Sequence, residues 1–327
     1  MKHVNIVLLV LAVAMILSAV FLLYVGSVRF DSSLICGGAE ISASPLQSWS
    51  APRLFADCSG TTYEWSDHAL KRLGDGTALE KSPSSVFPAY DGIGFVDNGC
   101  LYRWTSGGVE RIAENVSAAC WDEESFLWLD RDLRVVSGTA NGEKLQLLSV
   151  DEGQLGEPMI LLASENWIVL GAYRNGNFFQ DTFVYDRRKK TGTSVSLYLD
   201  GSDFAFLCDD KLIKIGGSQD TFCSLDLNTL EKTNYDASLT ADQGTITASA
   251  AYDRTKGIVF VSVYSKPERP EFYETNAATF AVDLQNRSIS KIDDHYYPGL
   301  AVSYGCVYGV KKGLLGAWRT VLLAEGT

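Results

Sequence analysis

At 327 residues, 46% hydrophobic and 11% aromatic, the chain carries enough apolar side chains for a large core. Eight prolines and 21% charged residues exclude a disordered polymer. All 40 acidic residues and 27 of the 28 basic ones follow position 28, so that part carries −13 and lacks the basic surface that nucleic acid requires.

In chain order, Val4 to Val28 comes first, with 25 residues and no charge. As a helix it extends about 37 Å at 1.5 Å per residue, enough to cross a hydrocarbon core of roughly 30 Å with some tilt. A cleaved signal peptide has a shorter apolar run that ends in a small-x-small site, and this stretch has neither. Residues 1–28 therefore read as a retained transmembrane signal-anchor. Lys2 precedes the span and Arg29 with Asp31 follows it, so flanking charge barely orients it. A three-residue tail before the span and a whole domain after it place that domain on the extracytoplasmic side.

Residues 29–50 are rich in Ser, Ala and Gly and read as a linker. From 51 to 327 the chain repeats one pattern: an apolar strand leading into Trp or Asp, a polar turn, and a returning strand. Thr182 to Leu197 shows it best, with Phe183 and Tyr185 on one face and Val184 on the other. Anchors at Trp65, Trp104, Asp151, Asp186, Asp226, Asp283 and Trp318 recur every 35–57 residues, about 42 on average. Further strands precede most anchors, and no amphipathic helix follows position 28. Three or four strands per repeat predict an all-β chain folded as a β-propeller of seven blades, with six or eight as alternatives and a β-sandwich as the competing architecture.

Leu101-Tyr-Arg-Trp104, Phe126-Leu-Trp-Leu-Asp130 and Thr182-Phe-Val-Tyr-Asp186 resemble degenerate repeats of membrane-anchored bacterial propellers related to the TolB-like and YWTD classes. The resemblance covers about 60–327 and implies architecture. No repeat carries a complete Tyr-Trp-Thr-Asp, so it implies no ligand.

The residues that carry chemistry are sparse. The three histidines are His3, His68 and His295, and no G-x-S-x-G elbow accompanies them. Neither a dinucleotide fingerprint nor a phosphate loop occurs, so no cofactor is expected. Asp130-x-Asp132 begins like a calcium loop but lacks its Gly and closing Glu, so no metal is expected either. The pairs Asp209-Asp210 and Asp293-Asp294 and the run Asp122-Glu-Glu124 read as solvated turns. The alternative is a carboxylate couple at a central channel. Cys208 and Cys223 are the best candidate disulfide among seven cysteines, the alternative being small buried hydrophobes. Asn115-Val-Ser117 and Asn286-Arg-Ser288 match the glycosylation sequon. Arg187-Arg-Lys-Lys190 is the one dense basic run and reads as a solvated turn.

Loop asymmetry gives the functional expectation. Turns within hairpins are short and polar. Segments on the opposite face are longer and carry aromatics and arginines, which supply most binding hot spots. The nominated ligand-binding residues are Tyr173, Arg174, Phe178, Phe179, Arg269, Phe272, Tyr273, Tyr296 and Tyr297. The expected function is a membrane-anchored binding or scaffolding module for a protein or glycan ligand. The alternative is a glycan-directed hydrolase or lyase using channel carboxylates.

Overall fold

The computed structural model describes residues 13–18, 40–43, 53–57, 59, 61–66, 69–122, 124–138, 144–149, 157–173, 182–197, 199, 204–216, 222–235, 245–253, 256–265, 275–303, 306–312 and 318–324. Most of the expected span Val4 to Val28 lies outside them. Residues 13–18 are helical, and among the described residues no helix is long and apolar enough to cross a membrane. His68, Asp151 and Cys58 also lie outside them.

Every named element is a β-strand. The first four are β1 (Glu40–Ala43), β2 (Arg53–Ala56), β3 (Thr62–Ser66) and β4 (Ala69–Arg72). Five four-stranded antiparallel sheets follow in chain order. They are β5 (Ser85–Ala89), β6 (Gly92–Asp97), β7 (Cys100–Thr105) and β8 (Gly108–Glu114), then β9 (Val116–Trp121), β10 (Phe126–Asp130), β11 (Arg134–Gly138) and β12 (Lys144–Ser149). Next come β13 (Glu157–Ala163), β14 (Trp167–Tyr173), β15 (Thr182–Asp186) and β16 (Thr191–Val195), then β17 (Phe204–Cys208), β18 (Lys211–Ile215), β19 (Phe222–Asp226) and β20 (Lys232–Asn234). The fifth is β21 (Thr245–Asp253), β22 (Ile258–Ser265), β23 (Thr275–Asp283) and β24 (Ser288–Asp293). The chain ends in β25 (Gly299–Ser303), β26 (Cys306–Lys312) and β27 (Trp318–Ala324).

The first strand of each group lies against the first strand of the next, from β2 through β5, β9, β13, β17 and β21 to β25. β1 then closes the ring. Glu40 and Ile41 pair with β2, while Ser42 and Ala43 pair with β25, so the first and last groups join into one seven-stranded sheet. Residues 77–79 fold back on β4 through the Lys71–Ala78 bridge and give the first group its own outer strand.

An apolar cluster fills the gap between neighbouring groups. Leu127, Leu129, Ile168 and Leu170 lie between the third and fourth, and Val169, Val184, Leu212 and Leu225 between the fourth and fifth. The five four-stranded sheets are thus covered on both faces, which explains why β6 and β10 are buried along their whole length. The alternation read in Thr182 to Asp186 holds, but neither face is solvated. Phe183 enters one inter-sheet cluster and Val184 the next.

The same geometry overturns the proposed disulfide. Cys208 and Cys223 are both free. Cys208 pairs with Lys211, whereas Cys223 pairs with Lys214 on the same β18, three positions along and across an intervening strand. An odd offset puts the two thiols on opposite faces of the sheet. Cys223 accordingly joins the cluster facing the fourth sheet, and Cys208 the one facing β21–β24.

Three of the anchor aspartates perform one job. Asp186, Asp226 and Asp283 each end a third strand, and each Oδ1 accepts the N–H groups two and three residues on: Arg188 and Lys189, Asn228 and Thr229, Gln285 and Asn286. The fifth residue of each turn, Lys190, Leu230 or Arg287, takes positive φ. An aspartate supplies the acceptor at this spacing without competing for the strand.

Close approach also fixes composition. A Cβ on Gly94 would lie 2.2 Å from Cε2 of Phe87, which pairs with it across β5 and β6. Gly94→Ala is therefore expected to lower unfolding stability by about 1–3 kcal/mol. Gly74→Ala, with nothing within 4 Å of its added methyl, should change it by less than about 0.5 kcal/mol. Urea unfolding of the two variants checks this, and equal effects would refute it.

Candidate functional site

Antiparallel order sends the turns between first and second strands, and between third and fourth, to one end of the ring. That end is stitched between sheets. Arg187 donates to Asp122 Oδ2 at 3.0 Å and to the carbonyl of Ser164 at 2.7 Å, joining the third and fourth sheets. Trp167 Nε1 donates to Asp210 Oδ1 at 2.7 Å, joining the fourth and fifth. Arg188 lies 5.1 Å over the Trp167 ring and donates to Asn228. Arg72 donates to the carbonyl of Thr105 and lies 5.1 Å over Trp104. The basic run at 187–190 is thus part of the scaffold, because its arginines are held by Asp122, Asp186 and Asp210. Burial opposes ionisation of Asp186, but N–H and side-chain donors of Lys189 and Arg188 outweigh it and hold its carboxyl down from 3.8 to about 2. A cavity of about 270 Å³ opens at this end between the fifth and sixth groups, beside Asp209, Asp210, Asp226 and Tyr252.

The other end holds the turns between second and third strands and the connections between sheets. Here a groove of about 580 Å³ runs between the second and third groups. β10 positions its floor: Trp128, 3% exposed, packs among Val96, Leu101 and Ala113 of the neighbouring sheet. Asn115, in the inter-sheet connection with φ 60°, and Arg131, in the β10–β11 turn, form its rim. The Arg131 amide donates to the carbonyl of Asn115 at 3.0 Å, which fixes the two loops together. Lys144 lies 5.8 Å over Trp128, with Gln146 two residues on along β12. The carboxylates that line the groove are held. Arg134 donates to Asp130 at 2.8 Å and Asp132 at 2.7 Å, and Arg111 pairs with Glu114 at 2.7 Å. Arg134 therefore sits where the calcium-like spacing of Asp130 and Asp132 would hold a cation. Arg131, Asn115 and Gln146 line the same groove and are exposed.

The nominated residues land elsewhere. Arg174, Phe178, Phe179, Arg269, Phe272 and Tyr273 lie outside the described residues. Tyr173 ends β14, with its side chain outside them too. Tyr296 is half-buried, its ring 5.1 Å from that of Tyr264. Tyr297 is a core residue, 2% exposed, and its hydroxyl donates to Asp293 Oδ2 at 3.0 Å. Burial and that neighbouring carboxylate both push its phenol well above the usual range. Three buried hydroxyls fix the segment around it: Ser249 donates to the Tyr297 carbonyl, Thr279 donates to the His295 carbonyl, and Ser262 accepts the Tyr297 amide. His295 is exposed, with Nδ1 2.7 Å from Asp293. Among the described residues no group of three His, Cys, Asp or Glu side chains is placed to hold a metal.

No protein-family model and no curated protein matches the chain. Among solved structures, the extracellular domain of the hybrid two-component system BT4673 from B. thetaiotaomicron superimposes with a TM-score of 0.53. The identity is 11%, over 88% of this chain and 43% of that one. The same extracellular domain, described as part of a one-component system, gives 0.51 at 12% identity over 84% and 41%. The WD40 domain of Neurospora crassa Pan2 gives 0.46 at 12% over 86% and 84%. The chain thus spans less than half the length of the BT4673 chain. The two BT4673 likenesses are of fold, and they agree with the closed ring of antiparallel sheets. The fold is a β-propeller. The β-sandwich alternative is excluded by six sheets whose inner strands follow one another around a ring.

Because the Asp186 carboxyl is depressed, its stabilisation is complete above about pH 4 and lost as pH falls through about 2. The stability difference between the parent and Asp186→Asn should therefore narrow over that window. Denaturant titrations at several pH values measure it, and a constant difference would refute the assignment.

Proposed function

We propose that this chain is a seven-bladed, membrane-anchored extracytoplasmic propeller that acts as a binding or scaffolding module for a protein or glycan ligand. The seven-stranded sheet counts as two blades that share β1, which with the five four-stranded sheets makes seven. The apolar run Val4 to Val28 supports the anchor. One observation carries the binding reading: the groove between the second and third blades is lined by Arg131, Lys144, Asn115 and Gln146, while Asp130 and Asp132 share Arg134 and Glu114 pairs with Arg111. A hydrolase of the two-carboxylate type needs one carboxyl free to donate a proton and a second to attack or activate water. The groove carboxylates, each held by an arginine, favour recognition over that chemistry.

Ligand is expected to seat with anionic or carbonyl oxygens on Arg131 and Lys144. Arg131→Ala combined with Lys144→Ala should weaken binding about tenfold or more, a loss of about 1.4 kcal/mol, with the thermal midpoint unchanged. Arrays of acidic and neutral oligosaccharides and of peptides identify the ligand, and calorimetry on the variants tests the site. A ligand bound equally well by the double variant sinks the groove assignment. For the anchor, the full chain should stay in membranes through high salt and alkaline washing and leave only with detergent; release by salt would refute it.

A further inference from the structure

The turn between β6 and β7 is built for a covalent change next to the groove. Asp97 pairs with Cys100, so Asn98 and Gly99 are the two residues of the turn, with φ of 49° and 72°. Asn-Gly suits such a turn because both positions need positive φ. Asn98 is exposed, and its Nδ2 donates to Asp97 Oδ1 at 3.2 Å. Among the described asparagines it is the one followed by glycine. The amide nitrogen after it therefore carries no Cβ-bearing residue to hinder approach to Asn98 Cγ. The turn also abuts the groove. Its Gly99 carbonyl accepts the Val116 amide at 2.8 Å, and a Cβ on Gly99 would lie 3.3 Å from Arg131 Nη2. The β6–β7 turn and the connection at Asn115 thus both touch Arg131, one at its guanidinium and the other at its amide.

We propose that Asn98 is a site of spontaneous deamidation, and that the carboxylate it forms draws Arg131 toward the turn and weakens the groove for anionic ligands. The Gly99 amide nitrogen gives its proton to solvent hydroxide and attacks Asn98 Cγ. The N–Cγ bond forms, the Cγ–Nδ2 bond breaks, and Nδ2 leaves as ammonia with a proton from water. Water then opens the five-membered imide. Cleavage of the new N–Cγ bond gives aspartate, and cleavage of the original peptide bond gives isoaspartate. Nothing is oxidised or reduced. Either product adds a carboxylate beside Asp97, which already pairs with Lys81 at 3.6 Å. The Arg131 guanidinium, lying against Gly99, offsets that added charge. Isoaspartate also lengthens the backbone of a two-residue turn and so disturbs the bond from the Val116 amide to the Gly99 carbonyl. The consequence for binding rests on the groove reading; the modification itself does not.

The test incubates the full chain, folded in detergent at mildly alkaline pH, beside a sample unfolded in urea. Trypsin cuts after Lys81 and Arg103, and Asn98 is the one amide side chain between them. Mass spectrometry of the folded sample should show that peptide gaining one mass unit and splitting into aspartyl and isoaspartyl forms. Its conversion should run about tenfold or more ahead of the peptide carrying Asn115, because Val116 brings a branched Cβ to the attacking nitrogen. Asn98→Gln should show no gain. Conversion confined to urea, or equal rates at Asn98 and Asn115, overturns the site. For the effect on the groove, Asn98→Asp should slow phenylglyoxal modification of Arg131 about threefold by pairing its guanidinium with a carboxylate, while Arg111 reacts as in the parent. An unchanged rate at Arg131 overturns the coupling. Neither readout uses a groove ligand, so failure here and failure of the groove reading stay distinguishable.

Discussion

The structure depends on one requirement: each small sheet is apolar on both faces and must be covered on both. A single four-stranded sheet of this kind cannot stand in water, because fully burying one Leu, Val or Phe is worth about 1.5–3 kcal/mol and each face carries several. Stacking the sheets side by side satisfies all of them except the two at the ends of the row. Apolar clusters fill the six gaps from the first group to the last, and bending the row into a ring brings its two ends together, where β1 pairs with both. Closed curvature here follows from burial.

That arrangement divides the labour between the two ends of the ring. Tight hairpin turns gather at one end, where aspartates cap the turns and their basic residues reach neighbouring sheets. These polar contacts rely on buried or half-buried groups such as Asp122 and Trp167, so they orient adjacent sheets more than a solvent-exposed ion pair could. The opposite end holds connections that must travel from the outer strand of one sheet to the inner strand of the next. Their path leaves space between sheets, and the groove at Asn115 and Arg131 is one such space.

The parts of this arrangement that were legible in the sequence were local ones. An aspartate two and three residues before the amides it accepts leaves a readable spacing, which is why Asp186, Asp226 and Asp283 could be recognised as repeat anchors. Strand alternation was legible, but its meaning was not: Phe183 and Val184 look like a core side and a solvent side until a second sheet is known to cover Val184. The Cys208–Cys223 pairing failed because the strand register that places them on opposite faces is set by β18, which spacing alone does not reveal. The groove was illegible for a similar reason. Asn115 and Lys144 lie on different sheets, and only the packing of those sheets brings them to one space. Tyr297, an aromatic beside a polar loop, had the composition of a binding residue; the hydroxyls of Ser249, Ser262 and Thr279 turn its segment inward instead.

Among the described strand pairings, ring closure falls to the one of longest range in sequence. Every other inter-sheet core joins neighbours in sequence, whereas β1 pairs Ser42 with Leu300. Loop-closure entropy grows only slowly with separation, so the cost in stability of a contact of this range is modest. β1 has only four residues and divides them between two sheets. It closes the seam along its inner edge and contributes nothing to the outer strands. Among the described residues, β27 of that last group pairs with β26 alone.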